Sequence, residues 1–184
     1  MCNGLSNLNN LIPPTEYHGK PIRIVINEVI ECGHFWCSID DEMHVNTLNT
    51  IQTILNNKNS ETNRETGSNA IGSIRSFDPN EIRVDVLCMA QFRDEKTGTV
   101  DKYRARILAI DKRSHEVEII YVDYGNKERK KFDQIYKCSE QLHEIPFQAV
   151  ECKLANINPS LFRNPNGVWV KDATKKFKEI ICKL

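Results

Sequence analysis

The chain has 184 residues, of which 25 are basic and 25 acidic, so its formal net charge at pH 7 is +0. Because Lys and Arg are not gathered in one block either, nucleic acid is possible but not favoured as a partner. No apolar run is long enough to cross a bilayer, so we expect no membrane partner. The length suits one domain, or one small domain inserted into another.

The seven cysteines are odd in number and scattered along the chain. This usage favours reduced, mostly buried thiols and an intracellular protein over a framework of disulfides.

The N-terminal part of the chain predicts an arm, a hairpin and a helix. Residues 1–20 are rich in Asn and have no sustained period, which predicts a loose arm. Residues 22–30 are dense in β-branched side chains, Gly33 marks a turn, and 34–39 reads as the partner strand. Residues 44–55 repeat apolar side chains at helical spacing and predict an amphipathic helix.

The middle of the chain predicts a linker followed by a small barrel. Residues 56–80 hold almost no apolar side chains, which is typical of a mobile linker. Four short antiparallel strands are expected after it, at 82–92, 103–110, 117–122 and 127–132. The barrel core is expected to rest mainly on Val84, Val86, Ile107, Val117 and Ile119.

The C-terminal part predicts one or two helical turns within 132–142, a strand over 147–157 and a closing helix over 169–184. The expected fold class is therefore mainly β with flanking helices (α+β).

The segment 116–127 combines a strand with a tight turn. Val117, Ile119 and Tyr121 alternate with Glu118 and Ile120, which is the period of a half-buried strand. Gly125 then breaks the strand, because glycine accepts a positive φ. Tyr121 and Tyr124 therefore lie at a strand end beside the amide of Asn126. Two rings and one amide at a rigid turn suit a flat organic cation.

The sequences YRARI, IYVDYGN and PFQAVECKL together resemble the extended Tudor domain, from about Ile22 to the C-terminus. In that family a Tudor SH3-like β-barrel is inserted into an OB-fold, staphylococcal-nuclease-like domain. VIECGHFWCSIDDE and the later Trp helix are most similar to the Tudor region of the Spindle-E group of DExH-box helicases in the Piwi-interacting RNA pathway. The implied organisation is an N-terminal arm (1–20), the first OB half (21–57), a flexible loop (58–80), the Tudor core barrel (81–142) and the second OB half (143–184), which would be incomplete at Leu184.

The resemblance implies a binding function through an aromatic cage. Its five positions match Phe92, Tyr103, Tyr121, Tyr124 and Asn126. The implied ligand is symmetrically dimethylated arginine in the N-terminal peptide of a Piwi protein, bound by a monomer in cytoplasmic, perinuclear germ granules (nuage) for transposon silencing. No catalysis, cofactor or metal is expected. The chemistry agrees, because methylation keeps the guanidinium charge, removes N–H donors and adds apolar surface, which suits ring faces.

Two other functions stay open: an RNA-binding OB/Tudor module, and a protein-interaction scaffold with a non-functional cage. Cys32, His34 and Cys37 have metal-capable side chains, but hairpin packing is favoured over zinc. Residues 40–42 (DDE) favour a helix start over a nuclease centre, and 127–131 (KERKK) favours a solvated strand edge over an RNA contact. No phosphate-binding loop is present, so any helicase activity would belong to another part of a longer protein.

Overall fold

The structure is a computed structural model that describes residues 19, 21–56, 75–94, 97–162 and 164–181. The arm predicted over 1–20 and the linker predicted over 56–80 lie mostly outside the described residues. The elements in chain order are β1 (Ile24–Glu31), β2 (His34–Ile39), α1 (Glu42–Asn56), β3 (Leu87–Arg93), β4 (Val100–Asp111), β5 (Glu116–Tyr121), β6 (Lys127–Lys131), β7 (Ile135–Lys137), α2 (Glu140–His143), β8 (Val150–Lys153) and α3 (Lys171–Ile181).

Two compact units share these elements. The barrel unit comprises Asp41–Asp123 and Lys127–Gln148, and the three-stranded unit comprises the described parts of Met1–Asp40, Tyr124–Asn126 and Ala149–Leu184. The barrel therefore lies in sequence between the two halves of the other unit, as an inserted domain does.

The three-stranded unit is an antiparallel sheet in the order β1-β2-β8, covered on one face by α3. The β1–β2 hairpin turns at Gly33, where φ is +73°. Val29, Phe35 and Cys37 form the buried face, and Phe177 and Ile181 of α3 pack on it. The two ends of the described chain thus share one hydrophobic core.

The barrel unit contains a five-stranded antiparallel sheet in the order β6-β5-β4-β3-β7. Its two edge strands are consecutive in sequence and are joined by one 3₁₀ turn at Phe132–Gln134. Five strands laid flat would separate those edges by about 19 Å, whereas the link from 131 to 135 reaches at most about 14 Å. The sheet therefore has to curl into a barrel.

Helix α1 begins at an Asp cap and buries its apolar side against the barrel. Asp41 Oδ1 accepts a hydrogen bond from the backbone N–H of His44 at 2.8 Å, as expected for the residue before the first turn. Ile51 and Leu55 are buried with Met89 of β3 and Leu142 of α2. The helix predicted within the OB half at 21–57 therefore packs with the barrel unit.

The strands differ from the prediction at three places. Val84 is 50% exposed rather than a core residue, because Asp85 adopts a positive φ of 68° and the strand begins only at Leu87. A fifth strand, β7, occupies three residues of the predicted helical segment 132–142. The strand predicted over 147–157 is confined to Val150–Lys153. Ile107, Val117 and Ile119 are buried as predicted, and Val86 is half-buried.

Two observations of the described residues bear on the function classes. None of the helices among them combines the length and apolar character needed to cross a membrane. They also hold no group of three or more His, Cys, Asp or Glu side chains placed to bind a metal ion.

Candidate functional site

Three of the predicted cage rings project from the same face of the barrel sheet. The Cα partners are Ala90 with Tyr103 and Ala105 with Tyr121, and Phe92 lies two residues beyond Ala90. Because alternate residues of a strand share a face, the three rings lie on the face that also carries the fully buried Ala90 and Ala105. That face continues into Ile107 and Ile119 of the barrel core, so the aromatic trio (Phe92, Tyr103, Tyr121) caps one end of the interior.

The three rings contact one another edge to face. Their centroids are 5.9 Å apart for Phe92 and Tyr103, 5.4 Å for Phe92 and Tyr121, and 6.0 Å for Tyr103 and Tyr121. The interplanar angles are 87°, 71° and 80° in the same order. Such edge-to-face contacts are favourable aromatic packing, and the rings have to separate before a cation can contact their faces.

Tyr121 is the inner member of the aromatic trio. It is 1% exposed, whereas Phe92 and Tyr103 are partly exposed. Its hydroxyl lies 2.8 Å from Glu128 Oε2 and 3.0 Å from the backbone oxygen of Gln91, so one proton is shared between two acceptors. Burial, followed by the hydrogen bond to Glu128, raises the pKa of Tyr121 far above its usual value of 10.

The electrostatic surroundings of the trio include several carboxylates. Burial, and then the charges of Asp101 and Asp94, raise the pKa of Tyr103. Glu128 Oε1 also lies 2.7 Å from Lys130 Nζ. Both tyrosines are therefore neutral phenols at neutral pH. Asp94 and Asp101 place negative charge near Tyr103, whereas the charge of Glu128 is balanced by Lys130.

Sequence reasoning missed Glu128, although the strand period contained the signal. In β6, Lys127, Arg129 and Lys131 are exposed, whereas Glu128 and Lys130 alternate with them and are half-buried. Glu118 and Glu116 of β5 are the Cα partners of Arg129 and Lys131. This pairing of opposite charges supports the predicted solvated strand edge over an RNA contact.

Tyr124 and Asn126, the other two predicted cage residues, belong to the three-stranded unit. Both are half-buried, and Gly125 between them is buried with a φ of +87°. A Cβ built on Gly125 would lie 2.1 Å from Cγ of Trp36, so the backbone of this turn lies directly on the indole. The tight turn predicted at Gly125 is confirmed, while the membership of Tyr124 and Asn126 in the cage stays a prediction.

Asp123 is a structural residue in this fold. It is 1% exposed and forms a two-pronged ion pair with the fully buried Arg104, at 2.6 and 2.9 Å. Arg104 also donates to the backbone oxygens of Leu142, Ile145 and Pro146. The pair thus fixes the end of β5, directly after Tyr121 and Val122, to the segment that follows α2.

The residues of the rejected zinc site each have a different partner. The Cys32 backbone N–H donates to Thr174 Oγ1 at 3.1 Å, and His34 Nε2 lies 2.7 Å from Glu151 Oε1. Cys37 Sγ lies 3.5 Å from the sulfur of Cys152. The side chains of His34 and Cys37 therefore contact β8, and the backbone of Cys32 contacts α3.

The barrel with aromatic rings at one end is typical of a small peptide-binding β-barrel domain, and a known protein family matches the chain. The family profile described as "Tudor domain" matches residues 16–156. The chain therefore belongs to the Tudor domain family, and its predicted fold, an SH3-like barrel inserted into an OB-like domain, is confirmed.

The similar curated proteins include RNA helicases. The human ATP-dependent RNA helicase TDRD9 is 31% identical over 164 residues, which is 87% of this chain and 10% of the relative. The rat protein of the same name is 28% identical over 156 residues, covering 84% of this chain and 10% of the relative. The chain thus spans about a tenth of the length of these relatives.

The similar solved structures are extended Tudor domains. Extended Tudor domain TD3 of mouse TDRD1, in complex with a MILI peptide that contains dimethylarginine, has a TM-score of 0.67 and 25% identity. That match covers 88% of this chain and 70% of the other. The extended Tudor domain of Drosophila melanogaster Papi, in complex with a Piwi N-terminal peptide, has a TM-score of 0.66 at 23% identity and the same coverage, which shows the fold alone.

Proposed function

We propose that this chain binds symmetrically dimethylated arginine in the N-terminal peptide of a Piwi protein, without catalysing a reaction. The observation that carries the proposal is the aromatic trio, whose three nearly perpendicular rings cap the barrel end among carboxylates. The solved complex of the TDRD1 domain with a dimethylarginine peptide supports the same ligand class. Each cation–π contact stabilises such a complex by roughly 0.5–2 kcal/mol, depending on desolvation.

The aromatic trio explains why methylation would favour binding. Methyl groups remove donors that a carboxylate fork would use, but they add apolar surface that ring faces contact well. Phe92 and Tyr103 are partly exposed and meet the ligand first. Because Tyr121 is 1% exposed, a guanidinium that stacks on its face has to displace one of the neighbouring rings. Tyr124 and Asn126 complete the proposed set, with the Asn126 amide oxygen accepting from a remaining guanidinium N–H.

Calorimetry with one Arg-Gly/Arg-Ala repeat peptide, prepared dimethylated and unmodified, tests the proposal. We expect the dimethylated peptide to bind at least about tenfold more tightly, since methylation changes both desolvation and ring contact. Phe92→Ala should lower the affinity about five- to thirtyfold. Phe162→Ala is the matched control, because that ring is 96% exposed and lies outside the trio.

Two results would replace the proposal by one of the other functions. Equal binding of both peptides, unchanged in Phe92→Ala, would favour the scaffold. RNA binding with a steep salt dependence, unaffected by Phe92→Ala, would favour the nucleic-acid module.

The cellular role follows from the same proposal. Recruitment of a Piwi protein by this domain would serve the Piwi-interacting RNA pathway and transposon silencing, in perinuclear germ granules of the cytoplasm. The similarity to TDRD9 supports a helicase as the longer protein that carries the domain. Co-precipitation of a Piwi protein with the tagged domain, abolished by an inhibitor of arginine methylation, is the expected result.

A further inference from the structure

Two cysteines from the two halves of the three-stranded unit meet on its sheet. Phe35 of β2 is the Cα partner of Cys152 in β8, and Cys37 is the partner of Val150. Cys37 and Cys152 are therefore diagonal neighbours on one face of the sheet, and their sulfurs are 3.5 Å apart. The two residues are separated by the whole barrel in sequence, so only the tertiary fold brings them together.

The surroundings of the two thiols differ. Cys37 is 1% exposed beneath α3, whose Phe177 and Ile181 pack on the same cluster. Cys152 is partly exposed and lies on β8. This strand has four residues and is at the edge of the described sheet. Cys152 also packs against this cluster, but it is the more exposed residue of the pair and therefore the more accessible one.

Hydrogen bonding between the thiols activates Cys152. Either sulfur can donate in the neutral pair, but a Cys152 thiolate would accept the S–H of Cys37, and this hydrogen bond lowers the pKa of Cys152. The same bond, together with burial, raises the pKa of Cys37. A thiol with a pKa near the ambient pH combines a large thiolate fraction with good nucleophilicity.

We propose that Cys37 and Cys152 form a redox-active dithiol, which a low-molecular-weight disulfide such as oxidised glutathione converts into one intrachain disulfide between β2 and β8. The Cys152 thiolate attacks one glutathione sulfur, forms a mixed disulfide and expels one glutathione thiolate. Cys37 then gives up its proton to the first expelled glutathione thiolate, and its sulfur attacks Cys152 and expels the second glutathione thiolate, which takes a proton from water. Two protein thiols are oxidised to one disulfide, and one oxidised glutathione is reduced to two thiols.

Formation of the mixed disulfide on Cys152 favours the subsequent attack by Cys37. The negative charge and the hydrogen-bond acceptor on Cys152, which raise the pKa of Cys37, are lost when Cys152 enters the mixed disulfide. Cys37 therefore becomes more acidic at the moment when its sulfur has to attack. Its position 3.5 Å from the target sulfur makes this intramolecular step fast relative to attack by a second glutathione.

The geometry predicts a disulfide that is easily reduced. The sulfurs have to approach by about 1.5 Å to reach a bond length of about 2.05 Å. Diagonal Cα atoms of about 7–8 Å separation lie beyond the usual range of about 4.4–6.8 Å, so the bridge requires the backbone to move. Edge strand β8 has only one partner strand in the described sheet and is the element that can shift. The strain that results raises the reduction potential, so the modification is reversible.

The test is oxidation of the folded chain with excess oxidised glutathione, followed by trapping of free thiols with an alkylating reagent and peptide mass mapping. We expect more than half of the protein molecules to carry a disulfide between Cys37 and Cys152. The oxidised protein should be lighter by two hydrogens, and dithiothreitol should reverse the change completely. Cys88→Ser, which removes another buried thiol, should oxidise in the same way. Cys152→Ser should yield no internal disulfide at Cys37.

Three results would overturn the proposal: a stable mixed disulfide on Cys152 alone, a bridge between other cysteines such as Cys88 and Cys138, or two thiols that stay free. The mapping on the wild-type chain decides between these outcomes even if a variant fails to fold. Because no methylated peptide is involved, its result is also independent of the proposed binding function.

Discussion

At the scale of single residues, the candidate site rests on aromatic side chains whose environments differ widely. Tyr121 is closed in and hydrogen-bonded, whereas Phe92 and Tyr103 remain partly exposed. A ring that is held by a hydrogen bond loses little further freedom when a ligand stacks against it, which lowers the entropic cost of binding. Tyr121 therefore serves the trio as a rigid wall, and the two outer rings supply the adjustable contact.

Loss of either residue predicted at the Gly125 turn should weaken peptide binding. Tyr124→Ala removes a ring face and Asn126→Ala removes the orienting acceptor, so each should cost about 1–2 kcal/mol, or roughly five- to thirtyfold in affinity. Both variants should melt as the wild type does, because neither residue belongs to the buried core. Calorimetry measures the peptide affinity of each variant, and thermal melts measure its stability. If both variants melt normally and bind the dimethylated peptide as the wild type does, the turn does not belong to the cage.

The raised pKa of Tyr121 predicts a loss of stability at alkaline pH. The folded chain keeps the phenolic proton at pH values where the unfolded chain has lost it, so this stability is complete below pH 10 and is lost as the pH rises above 10. Tyr121→Phe should be less stable at pH 7, since it lacks the hydroxyl, but should lose less stability between pH 9 and pH 11. Thermal melts across this range provide the measurement, and the comparison cancels the contribution of the buried thiols. An equal loss of stability in the wild type and in Tyr121→Phe between pH 9 and pH 11 would show that Tyr121 is not the source of the alkaline instability.

The buried ion pair predicts a large effect for a small chemical change. Asp123→Asn keeps the shape but leaves the charge of the fully buried Arg104 uncompensated, which should cost about 3–5 kcal/mol of unfolding free energy. Asp85→Asn is the matched control, because that side chain is 64% exposed and 4.0 Å from Arg106. Urea unfolding of both variants gives the two free energies. Equal stability of the two would show that the Arg104 network contributes little.

At the scale of elements, the turn that separates Tyr121 from Asn126 is fixed by packing as well as by backbone conformation. Gly125 has a positive φ, and its backbone lies on Trp36 of β2. The conformational preference could be predicted from the sequence, because glycine followed by Asn after a strand is a turn signal. The contact with Trp36 could not, since it joins residues that are almost ninety positions apart.

Adding one methyl group at this turn should therefore be costly. Gly125→Ala would place Cβ within 2.1 Å of the Trp36 ring in addition to the strained φ, so we expect a loss of at least about 3 kcal/mol. Gly98→Ala separates the two effects, because Gly98 has a φ of +72° but nothing within 4 Å, and it should cost only about 1–2 kcal/mol. Chemical denaturation of both variants checks the difference. Similar losses would mean that the indole moves away without cost.

At the scale of the whole molecule, the order of the helices and strands along the chain differs from their grouping into the two compact units. The three-stranded unit is assembled from β1 and β2 at one end of the chain and β8 and α3 at the other. Helix α1 follows β2 in sequence and yet is buried against β3 and α2 of the barrel. The polypeptide therefore passes from one unit to the other at Asp40 and Asp41.

The position of α1 predicts that the helix stabilises the barrel. Ile51 is fully buried with Met89 and Leu142, so Ile51→Ala should cost about 2–5 kcal/mol through lost burial and a residual cavity. Val45→Ala, on the same helix but 43% exposed, should change the stability by less than about 0.5 kcal/mol. Urea unfolding followed by circular dichroism distinguishes them. A neutral Ile51→Ala would show that α1 does not contribute to this core.

The sequence by itself determined the local elements and the family. The density of β-branched residues and the turn at Gly33 located β1 and β2, and period-two alternation located β4 and β5. Helical spacing located α1 and α3, and the glycine located the turn at 124–126. These features follow from preferences of neighbouring residues, which a linear pattern records directly. The same alternation also contained, unnoticed, the inward position of Glu128.

The tertiary structure alone decided which distant side chains meet. Strand register places Phe92, Tyr103 and Tyr121 on one face, curling of the sheet creates the three-residue strand β7, and the assembly of two chain halves brings Cys37 to Cys152. The positive φ of Asp85 likewise removed Val84 from the core. Each of these depends on free energies of packing and hydrogen bonding between residues far apart in sequence, and no local preference contains that information.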